Sequence, residues 1–301
     1  MGTVNAVDGP ARQAFISDLV SKDQLPSAIA LNSGIFNSGR VIGPGLAGFL
    51  IAFVGTGGTF IVNGISYLAV IIALVFLKIE ESRPFAHKNP IMAIKEGINY
   101  SYQHPIIRTL LLYTAMVSIF GWSYTTIMPV IAKNTFHVDA KGLGYLYSAT
   151  GLGSLLATFL VGAYSKKIPA ILFIVGGNML FSISLVLFSF SNTMIVALPL
   201  LFFTGFGLLA QAAMMNTIIQ GIVRTDFRGR VMSLYILMFL GVAPLGNFEI
   251  GWLTEHLGIS WAISINCSIV MICAGMVYTY QKVIRQAYQN YKRLNPEEIV
   301  V

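Results

Sequence analysis

Residues 194–222 read MIVALPLLFFTGFGLLAQAAMMNTIIQGI, 29 positions without one charged side chain. As a helix rising about 1.5 Å per residue, such a run reaches roughly 43 Å, more than the ~30 Å hydrocarbon core of a bilayer. A soluble helix buries one stripe and solvates the rest, and this run has no polar side to solvate. Seven further apolar stretches accompany it, near 27–54, 59–78, 106–132, 142–165, 169–190, 231–254 and 261–281, each long enough for one crossing. Across all 301 residues 55% of side chains are hydrophobic and 10% charged, against about 25% charged in soluble domains. The expected fold class is an all-α polytopic membrane protein whose connections are too short for a separate soluble domain.

Met1 to Val7 lack a basic start followed by a long apolar core, so they do not form a secretory signal. Cys267 and Cys273 lie six residues apart in the last apolar stretch, on different helix faces, and read as packing residues rather than a disulfide or metal site. The net charge of +7 suggests a nucleic-acid partner only until it is mapped. Of 19 Lys and Arg, 16 fall in alternate connections and the tail, while only Lys133 and Lys141 lie on the opposite side. That bias marks the crowded side, including the C-terminus, as cytoplasmic, and leaves no basic surface for nucleic acid.

Residues 79–105 form the longest polar connection. Within it Asn89 to Tyr100 places apolar residues at three- to four-residue spacing, as in an amphipathic helix on the cytoplasmic surface between two bundles. An internal repeat supports two bundles. Adding 203 to a residue number within 20–63 pairs Asp23 with Asp226, Phe36 with Phe239, Gly43 with Gly246, Gly55 with Gly258 and Asn63 with Asn266, among nine identities in 44 positions without a gap.

The run Pro10-Ala11-Arg12-Gln13-Ala14-Phe15, then Ala28 to Ser33 and Gly39-Arg40-Val41-Ile42-Gly43-Pro44, resembles the fourth and fifth helices of the drug-efflux branch of the major facilitator superfamily, which includes enterobactin exporters and macrolide-efflux proteins. Arg228-Gly229-Arg230-Val231-Met232-Ser233-Leu234-Tyr235, continuing to Ala243-Pro244-Leu245-Gly246, is similar to that branch's tenth-to-eleventh connection. The resemblance implies twelve helices in two six-helix halves, alternating access, and export coupled to proton entry, in the bacterial cytoplasmic membrane. The antiporter signature of the fifth helix is kept at Gly39, Gly43, Pro44 and Gly48, but Ala47 replaces the first glycine of its closing pair.

On this reading, and with the repeat extended backwards, about the first three and a half helices precede Met1. Residues 1–78 are then the remainder of the N-terminal half, 79–105 a linker, 106–282 the C-terminal half and 283–301 a cytoplasmic tail. The expected partners are the lipid bilayer, protons and a small amphipathic substrate of drug or siderophore type. The full-length protein is expected to be a monomer that uses no cofactor. The other reading is a membrane structural component, or an inactive fragment of a transporter gene.

Charges inside apolar stretches cost about 2.5–3.5 kcal/mol each on insertion scales, which singles out Asp8, Arg40 and Glu249. Asp8 and Arg40 form either an ion pair locking two helices or part of a proton-coupling path. Glu249 has no basic partner in its own half and is either a titrating carboxylate or simply hydrated. In the resembling fold the first, fourth, seventh and tenth helices line the cavity, which points to Trp122, Tyr124, Thr125 and Met128, and to Gln211, Met214, Met215 and Asn216. Aromatic and methionine surfaces with a few amides suit bulky amphipathic substrates, and the same residue types also make ordinary bundle packing. Gly39 and Gly43 allow close helix approach. Gly205 to Ala210 matches a dinucleotide fingerprint in letters only, since hydrocarbon surrounds it and no strand precedes it. Phosphate-loop, metalloprotease and serine-hydrolase motifs are missing from the sequence, so it does not read as an enzyme.

Overall fold

A computed structural model describes residues 57–76, 90–165 and 167–282, with single positions at 35, 50, 54, 55 and 286. Asp8, Arg40 and the motif Gly39, Gly43, Pro44 and Gly48 lie outside the described residues, as does nearly all of the stretch 27–54. The chain order is α1 (Gly57–Phe76), α2 (Pro90–Gln103), α3 (Pro105–Asn134), α4 (Ala140–Tyr164), α5 (Leu172–Ser189), α6 (Met194–Ile222), α7 (Phe227–Leu257) and α8 (Ile259–Thr279). All except α2 are long and apolar enough to cross a membrane, so the seven apolar stretches from 59 onward each become a helix.

One boundary differs from the sequence expectation. The apolar stretch is expected to start at 231, after a connection carrying Arg228 and Arg230, but the chain is helical from Thr225 onward and runs into the span. Its arginines do not end the helix, because Arg230 is neutralised by Glu96 of α2 at 2.7 Å and its backbone hydrogen bonds stay within the helix.

Local chemistry sets the other ends. Asp139 caps α4 by accepting from the backbone N–H groups of Lys141 and Gly142 at 3.0 and 3.1 Å. Pro105 opens α3, where a missing N–H costs nothing. Gly258 separates α7 from α8 with φ of +81°, and Gly55, its repeat partner 203 residues earlier, has φ of +72°. A left-handed backbone tolerated by glycine thus recurs at the same repeat position.

Among the described residues three spans carry π-helical turns, Val117–Trp122 in α3, Leu172–Gly176 in α5 and Leu237–Gly241 in α7. Each contains a glycine in its last two positions. In α7 the cause is legible: Pro244 has no N–H to give residue 240 and its ring crowds that carbonyl, so the backbone widens ahead of it.

In lipid, helices associate by close packing rather than by escaping water. The α4–α6 contact follows that rule. A Cβ on Gly153 would collide with the Phe202 carbonyl and one on Gly205 with the Thr150 carbonyl, and the Ser154 hydroxyl donates to the Gly205 carbonyl at 3.2 Å. Gly207 meets Gly177 of α5 in the same way. The glycines of the nucleotide-like string therefore serve helix packing. Phe181 and Phe188 of α5, Leu201 and Met214 of α6, and Cys267 and Val270 of α8 fill the core, while Phe159, Ile195, Phe248 and Trp261 point outward, as a lipid-facing surface requires.

Candidate functional site

The π turns of α3 and α7 meet. The Ser118 hydroxyl donates to the Phe239 carbonyl across the two helices, and Gly246 lets α7 approach the Ile119 backbone so closely that a Cβ would not fit. This crossing sets Trp122 edge-on to Phe239, with ring centroids 5.4 Å apart and planes at 68°. Together with α6 the pair bounds a narrow cleft lined by Thr114, Val117, Trp122, Leu208, Leu209, Ala212, Met215, Tyr235 and Phe239. Leu209, Ala212, Tyr235 and Phe239 also border a wider cavity of about 260 Å³, completed by Thr158, Val161, Gly162 and Ser165 of the α4 end and by Ala213, Asn216 and Thr217 of α6.

Cleft and cavity form one groove with a polarity gradient. Its narrow part is aromatic and aliphatic. Its wide part carries hydroxyl and amide groups from Thr158, Ser165, Asn216, Thr217 and Tyr235. Among the described residues none of those lining it is charged. Ser165 caps the C-terminus of α4 and Thr217 sits near that of α6, so the wide end faces the connections that carry Lys167 and Arg224.

Trp122, Met215 and Asn216 border this groove. Thr125 is half-buried on α3 outside the groove lining, with its hydroxyl donating to the Trp122 carbonyl at 2.9 Å. Tyr124, Met128, Gln211 and Met214 instead point into the bundle and are at most 2% exposed. Tyr124 packs on Phe181 at 6.2 Å. Gln211 accepts from the Tyr113 hydroxyl at 2.7 Å and from the Asn178 amide at 3.4 Å, which joins α3, α5 and α6 through a buried polar knot. Glu249 is half-buried and bound to Asn266 of α8, away from the groove.

Tyr235 and Phe239 were missed by sequence reasoning, which placed both in the apolar stretch 231–254 but looked for the cavity on 106–132 and 194–222. A signal for Phe239 was present: it is the one aromatic among the repeat identities quoted above. Among the described residues no three His, Cys, Asp or Glu side chains converge as metal ligands.

Comparison with known proteins gives a consistent picture. A family model described as transmembrane secretion effector, of the major facilitator type, matches residues 1–299. The staphyloferrin A transporter of Staphylococcus aureus is 28% identical over 281 residues, covering 93% of this chain and 70% of its own length. The multidrug efflux pump Tap of Mycolicibacterium fortuitum is 23% identical over 269 residues, covering 87% of this chain and 64% of Tap. A crystal structure of a bacterial homolog of the human lysosomal transporter Spinster, inward-facing and unoccupied, superposes with a TM-score of 0.58 at 14% identity, over 94% of this chain and 74% of that one. At that identity the likeness concerns the fold.

Proposed function

The chain belongs to the transmembrane secretion effector family of major facilitator transporters, and on the shape and polarity of its groove we propose that it exports a small amphipathic molecule by alternating access. The carrying observation is the gradient from the Trp122–Phe239 cleft to the hydroxyl-lined cavity at Asn216 and Thr217. A substrate with one aromatic or aliphatic end and one hydrogen-bonding end matches that surface, and an uncharged wall imposes no desolvation of fixed charge on entry. The names of the relatives, a staphyloferrin A transporter and a multidrug efflux pump, support transport of a small molecule.

In this reading residues 106–282 form the C-terminal half, residues 1–78 belong to the N-terminal half, and the wide end of the groove opens to the cytoplasm of a bacterial cell with the C-terminus on the same side. Export is driven by proton entry, with Glu249 as the titrating group in this half and Asp8 and Arg40 as an intramembrane pair in the other. The three polar residues Gln211, Asn178 and Tyr113 hold the bundle rigid behind the cavity wall. The test is efflux of amphipathic dyes from cells expressing the chain, compared with cells expressing Trp122→Ala at equal membrane abundance. Saturable export weakened by the substitution supports the proposal, and equal export by both proteins refutes the assigned site.

A further inference from the structure

Helix α2 is joined to the span α3 through the single residue His104, whose backbone is extended, so α2 lies at the membrane boundary. One face of it is docked on the first turns of α7. Gly97 allows the approach, since a Cβ there would sit 3.0 Å from the Cβ of Arg230. Glu96 pairs with the Arg230 guanidinium at 2.7 Å. The Tyr100 ring stacks on Phe227 at 4.4 Å with planes 9° apart and on His104 at 4.1 Å, and its hydroxyl accepts from the Arg224 backbone N–H at 3.3 Å. The Arg230 guanidinium also lies 5.0 Å from the centroid of the Phe227 ring.

An exposed ion pair alone contributes about 0–1 kcal/mol. Here it closes over a ring stack whose central member, Tyr100, is buried, and the parts act together. Arg230 is five residues before Tyr235 and nine before Phe239 on the same helix, so the clamp grips the element that forms one wall of the groove. Between clamp and wall the helix is regular up to Ile236, and its π turn begins at Leu237. Movement of the clamped end therefore carries Tyr235 with it, while the π turn lets Phe239 follow separately.

We propose that Glu96 and Tyr100 are positioning residues for the transport cycle, which fix the end of α7 and with it the Tyr235 wall, whose hydroxyl donates to the Ala212 carbonyl of α6 at 3.4 Å, at the spacing that leaves the cavity open. Clamp and open cavity occur together in this structure. Release of the clamp lets the wall shift along α6 from Ala212 toward Thr217 and narrow the mouth. The inference rests on the transporter reading above for its role in a cycle, but its structural content is independent of any substrate.

The test uses the full chain in membrane vesicles, with Cys267→Ala, Cys273→Ala and a reporter at Thr217→Cys, and measures the rate of N-ethylmaleimide labelling. Glu96→Gln and Tyr100→Ala are expected to slow labelling by about fivefold, the scale of a 1 kcal/mol coupling, and the reversed pair Glu96→Arg with Arg230→Glu to restore it. Unchanged or faster labelling in both single variants, at parental membrane abundance, overturns the clamp. Dye efflux measured in parallel is expected to show lowered kcat with KM within about twofold. A parent that labels as expected yet exports nothing counts against the transporter reading and leaves the clamp standing.

Discussion

The side-chain amide of Asn266 on α8 donates a hydrogen bond of 3.0 Å to the Glu249 carboxylate on α7, and Asn266 itself is 1% exposed. One amide donor compensates a carboxylate inside a span only in part. Glu249→Gln keeps an acceptor oxygen for Asn266, so we expect normal membrane abundance. Loss of the titrating group is expected to remove the dependence of efflux on the pH gradient while substrate exchange without net proton flow continues. Efflux by the variant that still falls when nigericin collapses the gradient, as in the parent, contradicts this role.

Trp122 and Phe239 make the apolar end of the groove. Truncating either removes a large aromatic surface from the substrate contact and leaves a hole, a loss of roughly 1–3 kcal/mol in binding, or about five- to a hundredfold in KM. Trp122→Ala and Phe239→Ala are expected to raise KM for aromatic dyes in that range, and Trp122→Phe to do so by much less. Concentration series of dye efflux provide the measurement.

Gly153 and Gly205 face carbonyls of the opposite helix with no room for a side chain. Gly205→Leu forces α4 and α6 apart, and a cost of about 2 kcal/mol or more follows from overpacking this contact. Thermal melting in mild detergent is expected to drop by several degrees, whereas Gly275→Leu, where nothing lies within 4 Å, leaves it near the parent value.

Lys141 and Lys167 flank α4 at opposite ends of a 25-residue helix, so about 37 Å of rise separates them. A membrane-impermeant maleimide added to whole cells should label Lys141→Cys and spare Lys167→Cys until the membrane is opened. The reverse pattern inverts the topology assigned from the basic residues.

Much of the fold was legible because hydrocarbon imposes a crude requirement, about 20 apolar residues per crossing, and stretches such as 194–222 meet it without ambiguity. The repeat was legible at Gly55 and Gly258, where a left-handed backbone admits few other residues. What escaped was rotation about the helix axis. Trp122 and Tyr124 were grouped by their place near the middle of the span, but two residues on a helix are separated by about 200° of rotation, and Trp122 meets the groove while Tyr124 enters the core. Arg228 and Arg230 concealed the start of α7 because Glu96, the partner of Arg230, lies 134 residues away in the chain, a relation no local pattern carries.

The most direct test of the central claim is dye accumulation in inside-out membrane vesicles energised by a pH gradient, comparing the parent with Trp122→Ala. The account predicts saturable accumulation that nigericin abolishes, with KM raised about fivefold or more in the variant at equal protein level. Absence of gradient-dependent accumulation in the parent, or identical kinetics in both proteins, would contradict it.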